Sequence, residues 1–382
     1  MKILLVFDSL SPYSGGSQNA VMAWFKNLKK IGINVKLLTD QNYKKTQEKI
    51  DETDLIVNPS FKLGRIFSQF SFSPVLWNET KKKILNFHPD IISIQEQLLV
   101  SYQVLRFAKK NNYLTLTSMH GDPYKFRAQN FPFSLFIKEG SVFNKFLRNY
   151  QFNMLKESDY ITVPTHYYQR LINQKLHEKS FVLPSPVSSY FFNKISVKPK
   201  LINKLITVSR LAGEKHVDVL IDMMQYLKDK YTLTIMGEGI DKQFLINKVK
   251  KLKLQSVVSF FGWVSKKQLS ETLRNHHLFL SASNFETFGL TYIEGLASVL
   301  PCIVYDYPVA REVIPNEMAI FVDSLDPKKW TEKLIQIQEH QEIYFRLKQN
   351  IENNYQKILQ YNEVESTKTL LKIYEKILSK KK

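Results

Sequence analysis

Residues 277–294 read HLFLSASNFETFGLTYIE. The apolar start, HLFLSAS, has the length of a strand, and the stretch from Leu290 onward reads as a helix. Between them, NFETFG carries a carboxylate, Glu286, and a glycine, Gly289. A second carboxylate, Glu294, follows about one turn into the helix. A strand that feeds a helix through a short loop is half of a parallel βαβ unit. If that unit recurs along the chain, it decides the fold class.

It does recur. KILLVFD (2–8), NVKLLTD (34–40), DLIVNP (54–59), DIISIQ (90–95), LTLTSMH (114–120) and YITVPT (160–165) read as strands. Helix-length segments separate most of them, such as QNAVMAWFKNLKKIG (18–32), which closes on a glycine cap. The series restarts with LITVSR (205–210), YTLTIMG (231–237), VVSFFGW (257–263), HLFLSAS (277–283), PCIVYD (301–306) and AIFVDS (319–324). The pattern predicts an α/β protein whose parallel sheets are buried on both faces. It divides into two doubly wound, Rossmann-like domains facing each other across a cleft, over residues 1–185 and 186–360. The joint falls in LPSPVSSYFFNKISVKPKL (183–201), with its three prolines and basic end. The stretch 327–382 reads as helices only, and 361–382 is expected to pack back towards the first domain.

The bulk numbers agree. A chain of 382 residues with 44% apolar content has enough for two cores and is not disordered. No apolar run reaches the roughly 18–20 residues of a spanning helix. The start, MKILLVFDSL, is broken early by Asp8, which reads as a buried first strand and not as an export signal. The single cysteine, Cys302 in PCIV, excludes an internal disulfide and fits a small buried hydrophobe in a reducing cytoplasm.

The formal net charge is +19, which draws a protein towards nucleic acid, nucleotide phosphates or an anionic membrane. Residues 101–150 hold eight Lys/Arg against two acids. There, YKFRAQNFPFSLFIKEGSVFNKFLRNY (124–150) interleaves bases with rings, which suits a lipid headgroup layer. A solvated helix face over core aromatics gives the same pattern. Nucleic acid is disfavoured, because no recognition helix or zinc finger is legible and the basic residues are spread along amphipathic helices.

The chemistry gathers at strand ends, where ligands bind in doubly wound sheets. The backbone N–H groups of Gly289, Leu290 and Thr291 open a helix, whose first donors lack partners and whose dipole favours an anion. Gly289 lets a phosphate come close. Glu294 is placed to accept hydrogen bonds from ribose hydroxyls, and Glu286 to stand at the other end of the same ligand. Both acids also serve as ordinary first-turn residues that complement the dipole. In TVSRLAGEKHVDVLIDMM (207–224), Arg210 ends a strand and Lys215 precedes a helix, two cations suited to a leaving diphosphate. Exposed surface bases would look the same. IMGEG (235–239) sets Gly237 and Gly239 at another strand end. FFGWV (260–264) ends at Val264, whose backbone can pair with the edge of a base.

In this order, these motifs resemble the family 4 glycosyltransferases, retaining enzymes of the GT-B fold, over nearly the whole chain. The resemblance adds the early glycine loop SGGSQNAV (14–21), with Gly15 and Gly16, and the histidine of TSMHGDP, His120. It implies that Glu286 contacts the sugar, that Glu294 contacts the ribose, and that Arg210 and Lys215 bind the diphosphate. His120 would lie near the sugar hydroxyls on the acceptor side; a buried histidine satisfied by backbone is the other reading. The implied reaction moves a hexose from a UDP- or GDP-sugar to a lipid-linked or polysaccharide acceptor. It retains the anomeric configuration and requires no metal or other cofactor. The implied setting is the cytoplasm, peripheral on the inner face of the membrane. Departures are E-T-F-G for the usual E-G-F-G, Leu300 where a glycine often precedes Pro301, and DYPVAREVI (306–314) in place of paired glycines, keeping Glu312. The run ETFGLTYIEGLASVLP resembles the diacylglycerol glucosyltransferase branch more than the sucrose or glycogen branches. A nucleotide-sugar epimerase of the same fold, or a basic nucleic-acid-binding protein, would be the alternatives.

Overall fold

The structure is a computed structural model that describes residues 1–8, 10, 15–45, 50–63, 67–73, 75–121, 142–192 and 199–380. Residues 124–141 of the basic–aromatic stretch, Ser14 of the glycine loop and residues 193–198 of the expected joint lie outside the described residues.

The chain packs as two compact units, Met1–Pro186 with Glu363–Lys382, and Val187–Asn362. Within the second unit, its two ends are paired: Val187 N donates to Tyr361 O at 2.8 Å, and Val187 bridges Asn362.

In the first unit the strands are β1 (Lys2–Val6), β2 (Asn34–Asp40), β3 (Leu55–Asn58), β4 (Phe61–Leu63), β5 (Phe67–Phe72), β6 (Ile91–Ile94), β7 (Leu114–Ser118), β8 (Tyr160–Val163) and β9 (Ser180–Val182). The parallel sheet among the described residues runs β3-β2-β1-β6-β7-β8-β9. Its central strands are buried along their length, the burial expected where helices cover both faces. β4 and β5 form a separate antiparallel hairpin, and β9 extends the sheet edge. The sequence reading has none of these three, because segments of three to six residues such as FKL and SFV carry too little periodicity to register.

The C-terminal helix Glu363–Ser379 belongs to this unit. Its Leu370, Ile373, Tyr374 and Ile377 share a core with Trp24, Phe25 and Leu28 of the helix Gly16–Lys30. Two long-range hydrogen bonds fix it: Trp24 Nε1 to Ser366 Oγ at 3.0 Å, and Tyr374 Oη to Ser93 Oγ at 2.9 Å.

The second unit holds β10 (Lys204–Val208), β11 (Thr232–Met236), β12 (Val258–Phe261), β13 (Leu278–Ser281), β14 (Cys302–Tyr305) and β15 (Ala319–Val322), in the order β12-β11-β10-β13-β14-β15. All pairs are parallel. The order reverses between β10 and β13, and such a switch point opens a crevice outside the carboxyl ends of the strands. Cys302 is buried in β14, and burial pushes its thiol well above the usual range. No helix among the described residues is long and apolar enough to cross a membrane.

Candidate active site

At the switch point of the second unit, β10 and β13 lie side by side and both end at the same sheet edge. The chain leaves β10 through Ser209 and Arg210, makes a short 3-10 turn at Gly213–Lys215, and enters the helix Val217–Met223. It leaves β13 through Ser283–Phe288 and enters the helix Leu290–Ala297. Lys215 Nζ bridges the two loops. It lies 2.5 Å from Glu286 Oε1, 3.1 Å from Phe285 O and 3.4 Å from Ser283 Oγ. Both side chains of the ion pair are mostly buried, 13% and 17% exposed, so water screens the pair less than it would at the surface.

Arg210 is held differently. Its Nη2 donates to Glu214 Oε1 at 2.7 Å, and the Glu214 side chain is 1% exposed while that of Arg210 is 45% exposed. Burial works against the Glu214 charge, but hydrogen bonds from its own backbone N–H and from Arg210 keep the carboxyl below its ordinary range. Glu214 therefore fixes the guanidinium, while the Arg210 side chain as a whole stays partly exposed. Asn284 N also donates to Glu214 O at 3.3 Å, tying this turn to the Glu286 loop.

The glycines have reasons that the sequence did not show. At Gly289 the backbone is left-handed, φ +80°, and a Cβ would lie 2.4 Å from the Tyr292 ring. Tyr292 is buried, and burial, followed by the nearby Glu286 charge, pushes its phenol far up. At Gly237, φ +134°, a Cβ would lie 1.9 Å from Ser209 O; at Gly239 it would lie 2.1 Å from Leu211 O. Ser209 N donates to Met236 O, and Leu211 N to Glu238 O. The G-E-G turn is thus a seat for the loop that carries Arg210. Val264 lies between β12 and the helix Lys266–Arg274, one residue before the cap Ser265.

Glu294 is 3% exposed within its helix, and Lys266 Nζ donates to its Oε1. The residues singled out in the second unit are thus held in carboxylate–cation pairs: Lys215–Glu286, Arg210–Glu214 and Lys266–Glu294. Glu214 and Lys266 were missed by sequence reasoning. Glu214 was findable, since it stands four residues after Arg210. Lys266 was not, since it lies 28 positions before Glu294.

His120, Gly15 and Gly16 belong to the first unit. Gly15 caps the helix Gly16–Lys30, with Asn19 N donating to its carbonyl at 3.1 Å. A Cβ there would meet nothing within 4 Å, so its described neighbours do not require glycine. His120 follows β7, and its Nε2 lies 3.2 Å from Gln95 Oε1. Among the described residues, its partner is a side chain and not the backbone. Trp24, on the glycine-led helix, sits 6.0 Å away ring to ring. Burial pushes the His120 pKa down to about 4, so the ring is neutral at neutral pH. Nearby, Asp8 accepts from Val100 N at 2.9 Å, from Ser101 N at 3.0 Å and from Ser101 Oγ. The helix Leu99–Lys110 has no side-chain cap of its own, and Asp8 supplies one from some 90 positions away.

Comparison with known proteins fits this geometry. Residues 14–189 match the model described as Glycosyltransferase Family 4, and residues 191–354 match Glycosyl transferases group 1. The GtfA subunit of the UDP-N-acetylglucosamine–peptide N-acetylglucosaminyltransferase of Streptococcus parasanguinis is 35% identical over 140 residues; this match covers 36% of the chain and 27% of that relative. The alpha-monoglucosyldiacylglycerol synthase of Acholeplasma laidlawii is 24% identical over 378 residues, 92% of both chains. The pneumococcal O-GlcNAc transferase GtfA, solved in complex with UDP and GlcNAc, superposes with a TM-score of 0.72 at 15% identity and covers 99% of both chains, a likeness of fold. With the two family models spanning both units in order, the chain belongs to the group 1, family 4 glycosyltransferases and has their GT-B fold of two Rossmann-like domains.

Proposed function

We propose that this protein moves a hexose from a UDP- or GDP-sugar to a lipid-linked or polysaccharide acceptor, with retention at the anomeric carbon. The observation that carries the reading is the Lys215–Glu286 contact at the β10/β13 switch point, with Arg210 held beside it by Glu214. A diphosphate there would meet two fixed cations and the open N–H groups at Gly289, Leu290 and Thr291. As the glycosidic oxygen departs, those groups offset its growing charge, which is the work that a metal ion does elsewhere. The departing phosphate oxygen takes the acceptor's proton, the sugar is attacked on the face it leaves from, and Glu286 steadies the hexose. Glu294 accepts from the ribose hydroxyls, and the Val264 backbone meets the base. His120 and the Gly15–Gly16 helix start serve the acceptor side.

A glycolipid acceptor is supported by the relative from Acholeplasma laidlawii, an alpha-monoglucosyldiacylglycerol synthase, and UDP by the pneumococcal structure. The +19 charge supports peripheral attachment to the anionic inner face of the membrane, in cell-envelope glycan or glycolipid synthesis.

The test is a thermal-shift screen of UDP- and GDP-hexoses, since a bound donor raises stability by mass action. It is followed by transfer assays on diacylglycerol and lipid-linked glycans, with and without EDTA, and NMR of the product's anomeric proton. Expected are a stabilising donor, chelator-resistant transfer and a retained configuration. No stabilisation and no product would defeat the reading, and a sugar altered without any acceptor would make the protein an epimerase.

A further inference from the structure

Lys266 stands where local physics does not want it. It is the first residue of the helix Lys266–Arg274, directly after the cap, and another lysine, Lys267, follows. Helix N-termini carry partial positive charge and favour acids, yet this first turn has none. The helix start is nonetheless firmly set. Ser265 Oγ accepts from Gln268 N at 3.3 Å, and Ser265 N donates to Gln268 Oε1 at 3.1 Å. The lysine ammonium reaches over the buried Phe191 ring, 5.7 Å from its centroid. From there it meets Glu294 on a different helix, where the carboxylate is nearly enclosed, 4% exposed.

We infer that Lys266 is a positioning residue of the donor site: it pins one oxygen of Glu294 and so aims the carboxylate at the ribose hydroxyls. This rests on the nucleotide-sugar reading above. The physical need is plain. A carboxylate has two oxygens, and a cation that holds one of them sets the direction in which the other accepts from neighbouring hydroxyls. Lys266 neither touches the reacting carbon nor replaces Glu294. It sets the angle of a residue that contacts the nucleoside.

The experiment measures UDP binding (GDP where UDP does not bind) by calorimetry to the full chain and its variants at neutral pH. Lys266→Met should weaken binding about tenfold to a hundredfold, the range for a hydrogen bond to a charged group. Lys266→Arg should restore most of the affinity. The loss should shrink with the 3′-deoxynucleotide, and Lys266→Met should add little in a Glu294→Gln background. If Lys266→Met does not fold, the paired variant Lys266→Met with Glu294→Met removes both charges and carries the comparison with Glu294→Gln. Unchanged affinity in Lys266→Met beside a loss in Glu294→Gln would overturn this inference and leave the donor reading intact. A protein that binds neither nucleotide would overturn the donor reading itself.

Discussion

Lys215 Nζ lies 2.5 Å from Glu286 Oε1, which joins two loops 71 positions apart in the chain. The strands before those loops, β10 and β13, are hydrogen-bonded neighbours, so their loops must emerge together. The pair is shielded enough that neither charge is cheap to leave alone.

Double-mutant analysis should show this coupling. Lys215→Met and Glu286→Gln should each destabilise folding, and the double variant should lose less than their sum by roughly 0.5–3 kcal/mol. Urea denaturation of the four proteins measures it. Transfer should also fall with Lys215→Ala or Arg210→Ala, by about 2–4 kcal/mol of transition-state stabilisation each. Full transfer activity in the Arg210→Ala, Lys215→Ala double variant would contradict the assignment of the diphosphate site.

Gly289→Ala should destabilise the second unit by roughly 1–3 kcal/mol, because the left-handed backbone and the Tyr292 ring both resist a Cβ. Gly15→Ala should cost far less, since space is open there. A scan of melting temperatures ranks the two. Equal losses would contradict the contrast drawn between a structural glycine and one that is not required by packing.

The neutral state of His120 predicts an activity profile without its signature. With the pKa pushed down to about 4 by burial, the ring does not titrate between the usual histidine value of 6.5 and neutrality. His120→Asn should lower transfer without changing the shape of the rate profile between about pH 5 and 8. Loss of an acidic limb in the variant would show that the ring does titrate in the working range. The stability contribution has a definite sign. The folded pKa is depressed, so the contribution is fully present above 6.5 and is lost as pH falls through about 4.

Asp8 predicts the opposite trend. Burial raises its pKa from 3.8 to about 6, against the lowering effect of its bonds to Ser101 and Val100, with Asp40 adding a small push upwards. Between those two values the folded state holds the proton more tightly than the unfolded state. Stability contributed by Asp8 is therefore present below 3.8 and lost as pH rises through about 6, by on the order of 2–3 kcal/mol. Asp8→Asn should flatten that part of the pH–stability curve. Denaturant titrations at several pH values check it, and parallel curves for the two proteins would refute the role.

Much of this was legible along the chain. The expected parallel strands appear within a residue or two at either end, because buried strands and amphipathic helices leave their period in the sequence. The spacing of Glu286, Gly289 and Glu294 was readable because one loop and one helix turn contain all three. The left-handed backbone at Val299, φ +58°, after the helix Leu290–Ala297, where Leu300 N donates to Gly295 O, was not legible in the sequence.

By itself, then, the sequence determined the order of strands and helices and the residue types at their ends, since these depend on neighbours a few positions away. Only the tertiary structure decided that Lys266 serves Glu294, that Asp8 caps a helix some 90 positions on, and that Gly237 and Gly239 seat the Arg210 loop. Each of those contacts joins segments brought together by sheet order, and strand periodicity is the same whichever strands become neighbours.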